Sequence, residues 1–314
     1  EMCNNNGACR KLDSGVMCPS YRVTKEEKDL VRGRANTLRL ALSNQLPKDS
    51  FVSKEMYETM ELCVSCKACQ RECPMSVDMA KMKSEFLSHY FKKFSMSIKD
   101  RVISNMPKLI WLLKIVSPIF NKIKDLPIIS EIIRKFGYAT EREMPVVQNQ
   151  FPLKEIYKSQ IKSENKVILF ADTFNINFEI QNLMYSIKVL NKFGYEVIIP
   201  SFDNDNLKRP LCCGRTYISY GQLDKAEKEL NRFVNYILIN GYYDMPIVGI
   251  EPSCLLTFSD EFKTLKNVKN KDKLKNKFYL LEEFVLEQIN NGNKVKLNKF
   301  NQNVLIHGHC HQKS

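Results

Sequence analysis

One stretch decides the fold: Cys63-Val64-Ser65-Cys66-Lys67-Ala68-Cys69-Gln70-Arg71-Glu72-Cys73-Pro74, in which the cysteines follow the spacing Cys-x2-Cys-x2-Cys-x3-Cys-Pro. This spacing is typical of iron-sulfur sites, because three closely spaced thiolates can wrap one corner of a cubic cluster while the fourth, held before a proline, points toward a second cluster. Zinc sites usually pair two separated Cys-x2-Cys units. The run therefore predicts a [4Fe-4S] cluster. A zinc site and four unliganded buried cysteines are the alternatives.

Three more cysteines lie upstream, and Cys18, like Cys73, is followed by a proline. By symmetry we expect two ligand groups: Cys18, Cys63, Cys66 and Cys69 for the first cluster, and Cys3, Cys9 and Cys73 for a second. Two cubes need eight ligands, and this region offers seven. The eighth ligand therefore lies upstream of Glu1, is not a cysteine, or the second cluster is incomplete.

The length and composition of the chain indicate that its cysteines do not serve as structural disulfides. The chain has 314 residues, 11 of them cysteines, and 44% are hydrophobic. A folded chain of this length buries about three quarters of its extended surface and needs no disulfides to hold a core. We expect a reducing, cytoplasmic setting in which neighbouring thiols bind metal. Because the sequence begins on Glu1 and already has a cysteine at position three, we also expect it to be part of a longer polypeptide.

The charge is strongly basic, with a formal net charge of +13. Of the 48 basic residues 12 are arginines, and the lysines are scattered along the chain. A nucleic-acid surface would concentrate arginine and interleave aromatics, so we expect no nucleic-acid partner. Only residues 92–135 have a strong local excess of positive charge, with ten basic residues and three acidic ones. This segment predicts either peripheral association with a membrane, at its inner face, or packing against a missing partner domain.

The first half of the sequence predicts helices around the cysteines. Thr24 and Glu27 have the spacing of a capping box and predict a helix over residues 25–43. Ser53 can cap a short helix to residue 62, and another helix follows Pro74. Residues 97–136 have helical spacing with proline breaks, and residues 140–165 are polar and irregular enough to be a linker.

The second half changes period and predicts a parallel sheet. β-branched runs at 167–171, 197–200, 247–250 and 304–306 are typical strands, separated by helical patterns at 178–193, 223–240 and 279–290. Strand, helix and strand at this spacing form βαβ units. The remaining cysteines lie in loops or just after strands, where an open α/β sheet places its ligands.

Three motifs of the first half accompany the cysteine run: Cys3-Asn4-Asn5-Asn6-Gly7-Ala8-Cys9-Arg10, Gly15-Val16-Met17-Cys18-Pro19-Ser20-Tyr21 and Arg32-Gly33-Arg34-Ala35. With the run at Cys63, they resemble the iron-sulfur half of FAD-linked D-2-hydroxyacid oxidoreductases, a family that includes D-lactate (cytochrome) and D-2-hydroxyglutarate dehydrogenases. The resemblance covers nearly the whole chain and is weakest over residues 95–165.

Three motifs of the second half are consistent with the same family: Leu211-Cys212-Cys213-Gly214-Arg215, Glu251-Pro252-Ser253-Cys254 and His307-Gly308-His309-Cys310-His311-Gln312-Lys313. They resemble the cysteine-rich CCG domain shared with heterodisulfide reductase and the iron-sulfur subunit of anaerobic glycerol-3-phosphate dehydrogenase. The copy is reduced, because no cysteine lies between Cys73 and Cys212 and the usual Cys-x2-Cys pair is Glu251-x2-Cys254. The resemblance implies a metal site at Cys212, Cys213 and Cys254, with Cys310 opening a second copy beyond Ser314.

The resemblance implies a multidomain α+β protein. Residues 1–92 would be an α-helical ferredoxin-type [4Fe-4S] domain, 93–165 a basic helical connector and linker, and 166–314 an α/β CCG domain with a parallel sheet, truncated at its C-terminus. An upstream domain, outside this sequence, would hold FAD and oxidise a D-2-hydroxy acid of the D-lactate or D-2-hydroxyglutarate class. Electrons would pass through the clusters to a quinone, a cytochrome or an electron-transfer flavoprotein. The chain alone would not turn over substrate.

Two other functions remain open from the sequence. The chain would serve as a stand-alone iron-sulfur subunit of a glycerol-3-phosphate dehydrogenase or heterodisulfide reductase-like complex, or as a zinc-binding interaction module.

Two groups of side chains also have alternative interpretations. His307, His309 and His311 alternate and would face one side of a strand end, where His309 and Cys310 would bind zinc or iron; alternatively these histidines would hydrogen-bond backbone in a loop. Three arginines after Cys18 would either offset the negative charge of a thiolate-ligated cluster or form an exposed face paired with acidic neighbours: Arg32, Arg34 and Arg39.

Overall fold

A computed structural model describes residues 3–12, 15–148, 156, 160–200, 209–298 and 300–313, with only the backbone of Trp111 and Leu113. The chain divides into two compact units. The first contains Glu1–Met96, Tyr217–Leu223 and Asn303–Ser314, and the second contains Ser97–Thr216 and Asp224–Gln302. The predicted domains 1–92, 93–165 and 166–314 stay a prediction.

The first unit is helical. Its helices are α1 (Pro19–Thr24), α2 (Val31–Leu42), α3 (Lys54–Glu61), α4 (Ala68–Glu72) and α5 (Met79–Lys93). As predicted, Ser53 caps α3, its side chain accepting the backbone N–H of Met56 at 3.2 Å. The core of the unit combines apolar side chains such as Leu30, Met60 and Phe86 with cysteines.

The predicted helix over residues 25–43 is wrong at its start. Thr24 is the last residue of α1, and its hydroxyl donates back to the carbonyl of Ser20 instead of capping a new helix. Lys25 then adopts a left-handed conformation with φ of 59°, which ends α1. Because a short 3-10 turn, Glu27–Asp29, follows, α2 begins only at Val31.

The second unit starts with the basic helical segment. As expected, this segment is helical with proline breaks: α6 (Ile98–Ser104), α7 (Met106–Ile123) and α8 (Pro127–Lys135). Pro107 and Pro127 lie in the first turns of their helices, where a missing N–H costs nothing, whereas Pro118 lies inside α7. Residues 140–148 and 160–165 of the predicted linker form no helix or strand.

A four-stranded parallel sheet with the order β2-β1-β3-β4 forms the centre of the second unit. Its strands are β1 (Lys166–Phe170), β2 (Glu196–Ile198), β3 (Ile247–Gly249) and β4 (Phe278–Leu280). Ile168 pairs with Ile198 on one side and with Ile247 on the other. The chain runs from β1 to β2 on one side and returns to β3 on the other, so a topological switch point lies between β1 and β3.

Helices connect and flank the strands: α9 (Thr173–Asn177), α10 (Ile180–Lys192), α11 (Arg215–Ser219), α12 (Leu223–Ile239), α13 (Pro252–Ser259), α14 (Glu261–Thr264) and α15 (Leu281–Asn290). The core on one face of the sheet is apolar and fully buried, with Val167, Leu169 and Leu183 at 0% exposure. This core contains no cysteine.

The prediction of the last strand is wrong. Val304, Leu305 and Ile306 form no strand, and their side chains are 63%, 98% and 84% exposed. The fourth strand of the sheet is Phe278–Leu280, which pairs with β3; the sequence pattern assigned its last two residues to the start of a helix. β-branched composition favours extended backbone, but only pairing with a neighbour makes a strand. A short helix, α16 (Cys310–Lys313), follows in the first unit.

Candidate iron-sulfur site

All seven N-terminal cysteines belong to the core of the first unit. Four are buried in it, namely Cys9, Cys18, Cys69 and Cys73, and three pack against it, namely Cys3, Cys63 and Cys66. Cysteines separated by more than 40 residues of sequence are thus brought into one apolar environment. Such an environment is costly for thiolates unless metal or hydrogen bonds compensate their charge.

The four cysteines predicted for the first cluster line a single cavity: Cys18, Cys63, Cys66 and Cys69. Four thiols in the wall of one cavity are the donor set of a [4Fe-4S] cluster. A mononuclear zinc site would need its ligands to converge at about 2.3 Å from one point. Within the described part of the chain, no three His, Cys, Asp or Glu side chains are arranged to hold a single metal ion. The four thiols of this cavity match the donor set of a cluster, and the individual ligand assignments stay predictions.

Three helices begin at this cavity, and the first residue of each donates its backbone N–H to one of these sulfurs. Val31 of α2 donates to Cys18, and Ala68 of α4 donates to Cys66. Met79 of α5 donates to Cys69 at 3.4 Å. The first N–H groups of a helix have no partner within it and carry its positive dipole end, so they stabilise negatively charged sulfur.

The start of α2 shows why the sequence did not reveal these donors. Its N-cap residue is Leu30, whose side chain accepts no hydrogen bond, and Arg32 donates its backbone N–H to the sulfur of Cys9. Cysteine sulfurs from an earlier loop therefore cap this helix. Helix starts are recognised in a sequence by Ser, Thr, Asp or Asn at the N-cap, so a start that is capped by cysteine sulfurs is not recognised in this way.

Positive φ angles shape the loops that carry the cysteines. Cys18 has φ of 31°, Ser65 has 52° and Lys67 has 63°. Non-glycine residues rarely adopt this region, and such strain is concentrated at functional sites. Cys18 is also the N-cap of α1, with Pro19 as the first helical residue.

Burial makes these thiols poor acids in the cluster-free protein. It raises the pKa of Cys18 and of Cys69 to about 12 in each case, against the opposing hydrogen bonds from Val31 and Met79. Burial also raises the pKa of Cys9 and Cys66. Because thiolates are the ligands, cluster binding must displace these protons, and most of the charge that compensates the sulfurs would come from the metal.

Arg34 does not lie on an exposed face, although it is paired with an acidic neighbour. Its side chain is 1% exposed, lies 3.6 Å from the carboxylate of Asp29, and donates through Nε to the carbonyl of Thr59 at 2.9 Å. It also lines the cavity and lowers the pKa of Cys18, although burial dominates that pKa. A buried cation beside the thiols offsets part of their negative charge.

The two other arginines differ from each other. Arg32 pairs with Glu27 at 2.6 Å and lowers the pKa of Cys9, whose largest shift comes from burial. Arg39 faces solvent. Position 33, between Arg32 and Arg34, requires glycine for a steric reason, because a Cβ there would lie 2.0 Å from the carbonyl oxygen of Glu27.

Glu72 is a residue of this site that was not predicted from the sequence. Its carboxylate accepts the backbone N–H groups of Val16 and Met17 at 2.8 and 2.9 Å, immediately before Cys18. Arg22 holds the same loop by donating to the carbonyl of Gly15 at 2.9 Å. One residue before Cys73, Glu72 thus ties the two Cys-Pro segments together. Its place inside the cysteine run was the only available signal.

The second predicted ligand group consists of Cys3, Cys9 and Cys73. Burial is the main cause that raises the pKa of Cys9, and the charge of Cys3 raises it further. Cys3 packs against the same core in which Cys9 is buried. Cys73 ends α4 and is 9% exposed in the same core. The three residues share one environment, and their role as ligands of a second cluster stays a prediction.

A separate thiol group lies in the second unit. Cys212 and Cys213 precede α11, Cys254 lies in the first turn of α13, and all three side chains are at most 4% exposed. Cys213 hydrogen-bonds both other thiols. Its bond with Cys254 lowers the pKa of Cys254, but burial and nearby Asp172 outweigh this effect and raise it to about 11. The structure thus brings together the three cysteines predicted there.

Asp172 and Glu251 place this thiol group at the switch point of the sheet. Asp172 follows β1 and caps α9, accepting N–H groups from Phe174 and Asn175 at 2.9 and 3.0 Å. Glu251 follows β3 and caps α13 through the N–H of Ser253 at 3.2 Å. Ligands of open α/β sheets bind at this point, at the carboxyl ends of the strands. The sequence analysis missed Asp172, whose position directly after a buried strand was a usable signal.

The glycine of the Cys-Cys-Gly motif has a structural reason. Gly214 has φ of 76°, and a Cβ there would lie 3.2 Å from Cα of Ala226 in α12. Its N–H donates to the sulfur of Cys212, and the N–H of Arg215 donates to the sulfur of Cys213, each at 3.4 Å. The glycine therefore allows both the left-handed turn and the close approach of α12.

The histidine-rich tract does not form the predicted strand end. His309 precedes α16, His311 lies in it, and their rings are in edge-to-face contact at 5.1 Å. His311 Nε2 lies 3.2 Å from the carbonyl oxygen of Ser65 in the cluster loop, and exposed Cys310 raises the pKa of Cys66, secondarily to burial. The tract thus lies beside the first cavity. Metal binding by His309 and Cys310 stays a prediction.

The class of protein follows from this site and from a family comparison. Residues 1–77 match the 4Fe-4S dicluster domain family. The first part of the chain is therefore a 4Fe-4S dicluster domain, and iron-sulfur chemistry, predicted from the cysteine spacing, is confirmed.

Individual relatives narrow the class further. The chain is similar to D-2-hydroxyglutarate dehydrogenases of Escherichia coli (strain K12), with 21% identity over 83% of this chain and 30% of the relative, and of Pantoea ananatis, with 23% identity over 83% and 29%. The Pseudomonas putida enzyme of that name is 23% identical over 83% and 30%. The chain thus spans about a third of the length of these relatives. No solved structure matches it. The stated resemblance to the iron-sulfur half of this family is confirmed.

Proposed function

We propose that this chain is the electron-transfer part of a flavin-linked dehydrogenase that oxidises a D-2-hydroxy acid, of the D-2-hydroxyglutarate or D-lactate class. One observation carries the proposal: four cysteines of a dicluster domain line one cavity, and three helix N-termini donate N–H groups to their sulfurs. The names of the relatives supply the substrate class. FAD would lie on a domain outside this sequence.

The residues of the chain have separate roles in this proposal. Cys18, Cys63, Cys66 and Cys69 would hold the first [4Fe-4S] cluster, which accepts and releases one electron at a time when bound. Cys3, Cys9 and Cys73 would supply three ligands of a second. Arg34 and the helix N-termini would compensate the negative charge, and the apolar core would exclude water.

The thiol group in the second unit would bind metal as well. Cys212, Cys213 and Cys254 are buried together near the carboxylates of Asp172 and Glu251. As placed, these side chains do not converge on a single ion, so metal binding would require them to rearrange. The acceptor that receives the electrons would be a quinone, a cytochrome or an electron-transfer flavoprotein.

Anaerobic purification with iron, acid-labile sulfide and zinc analysis, followed by EPR of the reduced protein, tests the proposal. We expect iron and sulfide in equal amounts and a [4Fe-4S] signal that disappears in Cys63→Ser and in Cys69→Ser. Cys212→Ser is the matched control for Cys69→Ser, because it changes a similarly buried thiol of the other unit and should leave this signal intact. Zinc without sulfide contradicts cluster binding, and oxidation of a hydroxy acid by the chain without added flavoprotein contradicts the electron-transfer role.

A further inference from the structure

A stripe of aliphatic side chains on α7 is exposed to solvent. Leu112, Ile115, Val116, Ile119 and Ile123 are between 36% and 80% exposed. Their spacing of three and four residues places them along one face of the helix. Large contiguous apolar patches are rare on soluble proteins and mark interaction sites.

The opposite face of the helix shows that this exposure is not a consequence of loose packing. Pro107, Ile110 and Ser117 are buried there. One face of the helix is therefore buried, and a second, apolar face is presented to solvent. An ordinary surface helix would carry polar residues on that face.

The exposed face is bordered by positive charge. Lys108 and Lys122 are exposed, and helical geometry places them beside the apolar stripe. The segment 97–136 holds eight basic residues against three acidic ones, a net charge of +5. Two of the acidic residues are engaged locally, because Asp125 pairs with Lys124 and Glu131 with Arg134.

α8 continues the same surface chemistry. Leu126, Ile128 and Ile132 are 47%, 68% and 46% exposed, and Lys135 beside them is exposed too. Within the described residues no helix is long and apolar enough to cross a bilayer. A surface of this kind suits a helix that lies in the plane of a membrane.

We propose that the exposed apolar stripe of α7, with its lysine border and the continuation on α8, docks this protein onto the surface of an anionic lipid bilayer. Composition favours lipid over a protein partner. Protein interfaces are enriched in aromatic residues and arginine and depleted in lysine, whereas this stripe is aliphatic with a lysine border. Lysines beside an aliphatic stripe can extend toward headgroups while their methylene groups and the stripe enter the interface.

Vesicle co-sedimentation of the full chain tests this docking without any electron-transfer assay. We expect binding to phosphatidylglycerol-containing vesicles and little binding to pure phosphatidylcholine. Raising the salt from about 0.1 M to about 1 M shortens the Debye length from about 10 Å to about 3 Å and should weaken binding. Absence of binding to anionic vesicles overturns the proposal.

Paired substitutions locate the surface. Ile115→Ser/Ile119→Ser should weaken binding about tenfold or more, because two inserted side chains are lost. Lys122→Glu/Lys135→Glu should weaken it and reduce its salt dependence. The matched controls are Ile239→Ser, an 84% exposed residue on α12, and Lys266→Glu/Lys269→Glu, and these should bind like wild type.

Circular dichroism and thermal unfolding verify that each variant is folded, which exposed positions should allow. Unchanged binding of the folded Ile115→Ser/Ile119→Ser variant rules the surface out. If that variant instead changes the oligomeric state or releases a bound protein while vesicle binding persists, the stripe is a protein interface and the proposal is wrong.

Discussion

At the scale of single residues, a few side chains outside the cysteine set decide whether the thiols can meet. Glu72 accepts two backbone N–H groups from the loop before Cys18, and Arg34 fills the cavity wall with a buried guanidinium. Neither residue is a metal ligand. Glu72 fixes the loop between Gly15 and Cys18, whose positive φ angles are unfavourable without such support.

Replacing Glu72 should therefore weaken the site without removing a ligand. We expect Glu72→Ala to lose about 3 kcal/mol of stability and much of its iron, since hydrogen bonds to charged groups contribute about 1.5–3 kcal/mol each. Glu72→Gln retains one acceptor and should lose less. Urea unfolding and iron content per chain measure both effects. Glu61→Ala, an exposed carboxylate of α3, is the control, and an equal loss in that variant would contradict the role of Glu72.

Comparing Gly214 with Gly241 separates the cost of a left-handed backbone conformation from the cost of a steric clash with a neighbouring helix. Gly214→Ala and Gly241→Ala both place a Cβ at positive φ, 76° and 70°, but only at Gly214 does the Cβ meet a neighbour, whereas nothing lies within 4 Å at Gly241. We expect Gly241→Ala to cost about 1 kcal/mol from the left-handed conformation alone, and Gly214→Ala clearly more. Thermal unfolding of both variants measures the difference. Equal costs would mean that α12 can move away from Gly214.

At the scale of elements, helix starts rather than loops organise the first cavity. α2, α4 and α5 each present the N–H of their first residue to a cysteine sulfur: Val31 to Cys18, Ala68 to Cys66 and Met79 to Cys69. A helix start is a more rigid donor than a flexible loop, because its N–H groups are aligned by the helix behind them. Hydrogen bonds to sulfur are one of the levers that set the reduction potential of a cluster.

Val31→Pro should isolate one such donor. Proline is tolerated at the first position of a helix, and Leu30, with φ of −118° and ψ of 169°, already has the conformation that precedes proline. Loss of the N–H should lower the reduction potential on the order of 50 mV, since the bond stabilises the more negative reduced cluster by about 1 kcal/mol more.

EPR-monitored redox titration measures this potential. Val31→Ala is the matched control, because it loses similar packing but keeps the N–H. Equal potentials in the two variants would show that this hydrogen bond does not tune the cluster.

At the scale of the whole molecule, the two units differ in what their cores are made of. The first core combines apolar side chains with seven cysteines, four of them buried. Among the described residues, the core on one face of the sheet in the second unit is aliphatic and aromatic, and the three buried cysteines of that unit lie outside it. Where the metal ligands are part of a core, the free energy of metal binding contributes directly to the folding of that core. A core without metal ligands gains little stability from the metal.

Removal of iron should therefore unfold the units unequally. After chelation under reducing conditions, we expect α2 and α4 to lose hydrogen-exchange protection while β1 and β3 keep theirs. Hydrogen exchange followed by mass spectrometry of peptides measures this, with the iron-loaded protein as reference. Equal loss of protection in both units, or none in the first, would contradict a folding role for the metal.

Much of the fold and the site could be predicted from the sequence, for physical reasons that are local. The spacing of Cys63, Cys66 and Cys69 fits one corner of a cluster regardless of the rest of the fold, and β-branched runs with helical spacing between them predicted β1 to β3. These patterns depend on geometry within a few residues. The strand expected at 304–306 does not form, because β-branched composition does not supply a pairing partner; the strand that pairs with β3 is Phe278–Leu280.

The sequence by itself therefore determined the ligand chemistry, the helical first part and the parallel sheet. Tertiary structure alone decided which groups meet: Glu72 with the loop before Cys18, the start of α2 with Cys18 and Cys9, and Asp172 with Cys254 at the switch point. Such contacts join residues far apart along the chain. Their donors are mostly backbone N–H groups, which every residue except proline possesses. The residue types in the sequence therefore do not indicate which N–H groups make these contacts.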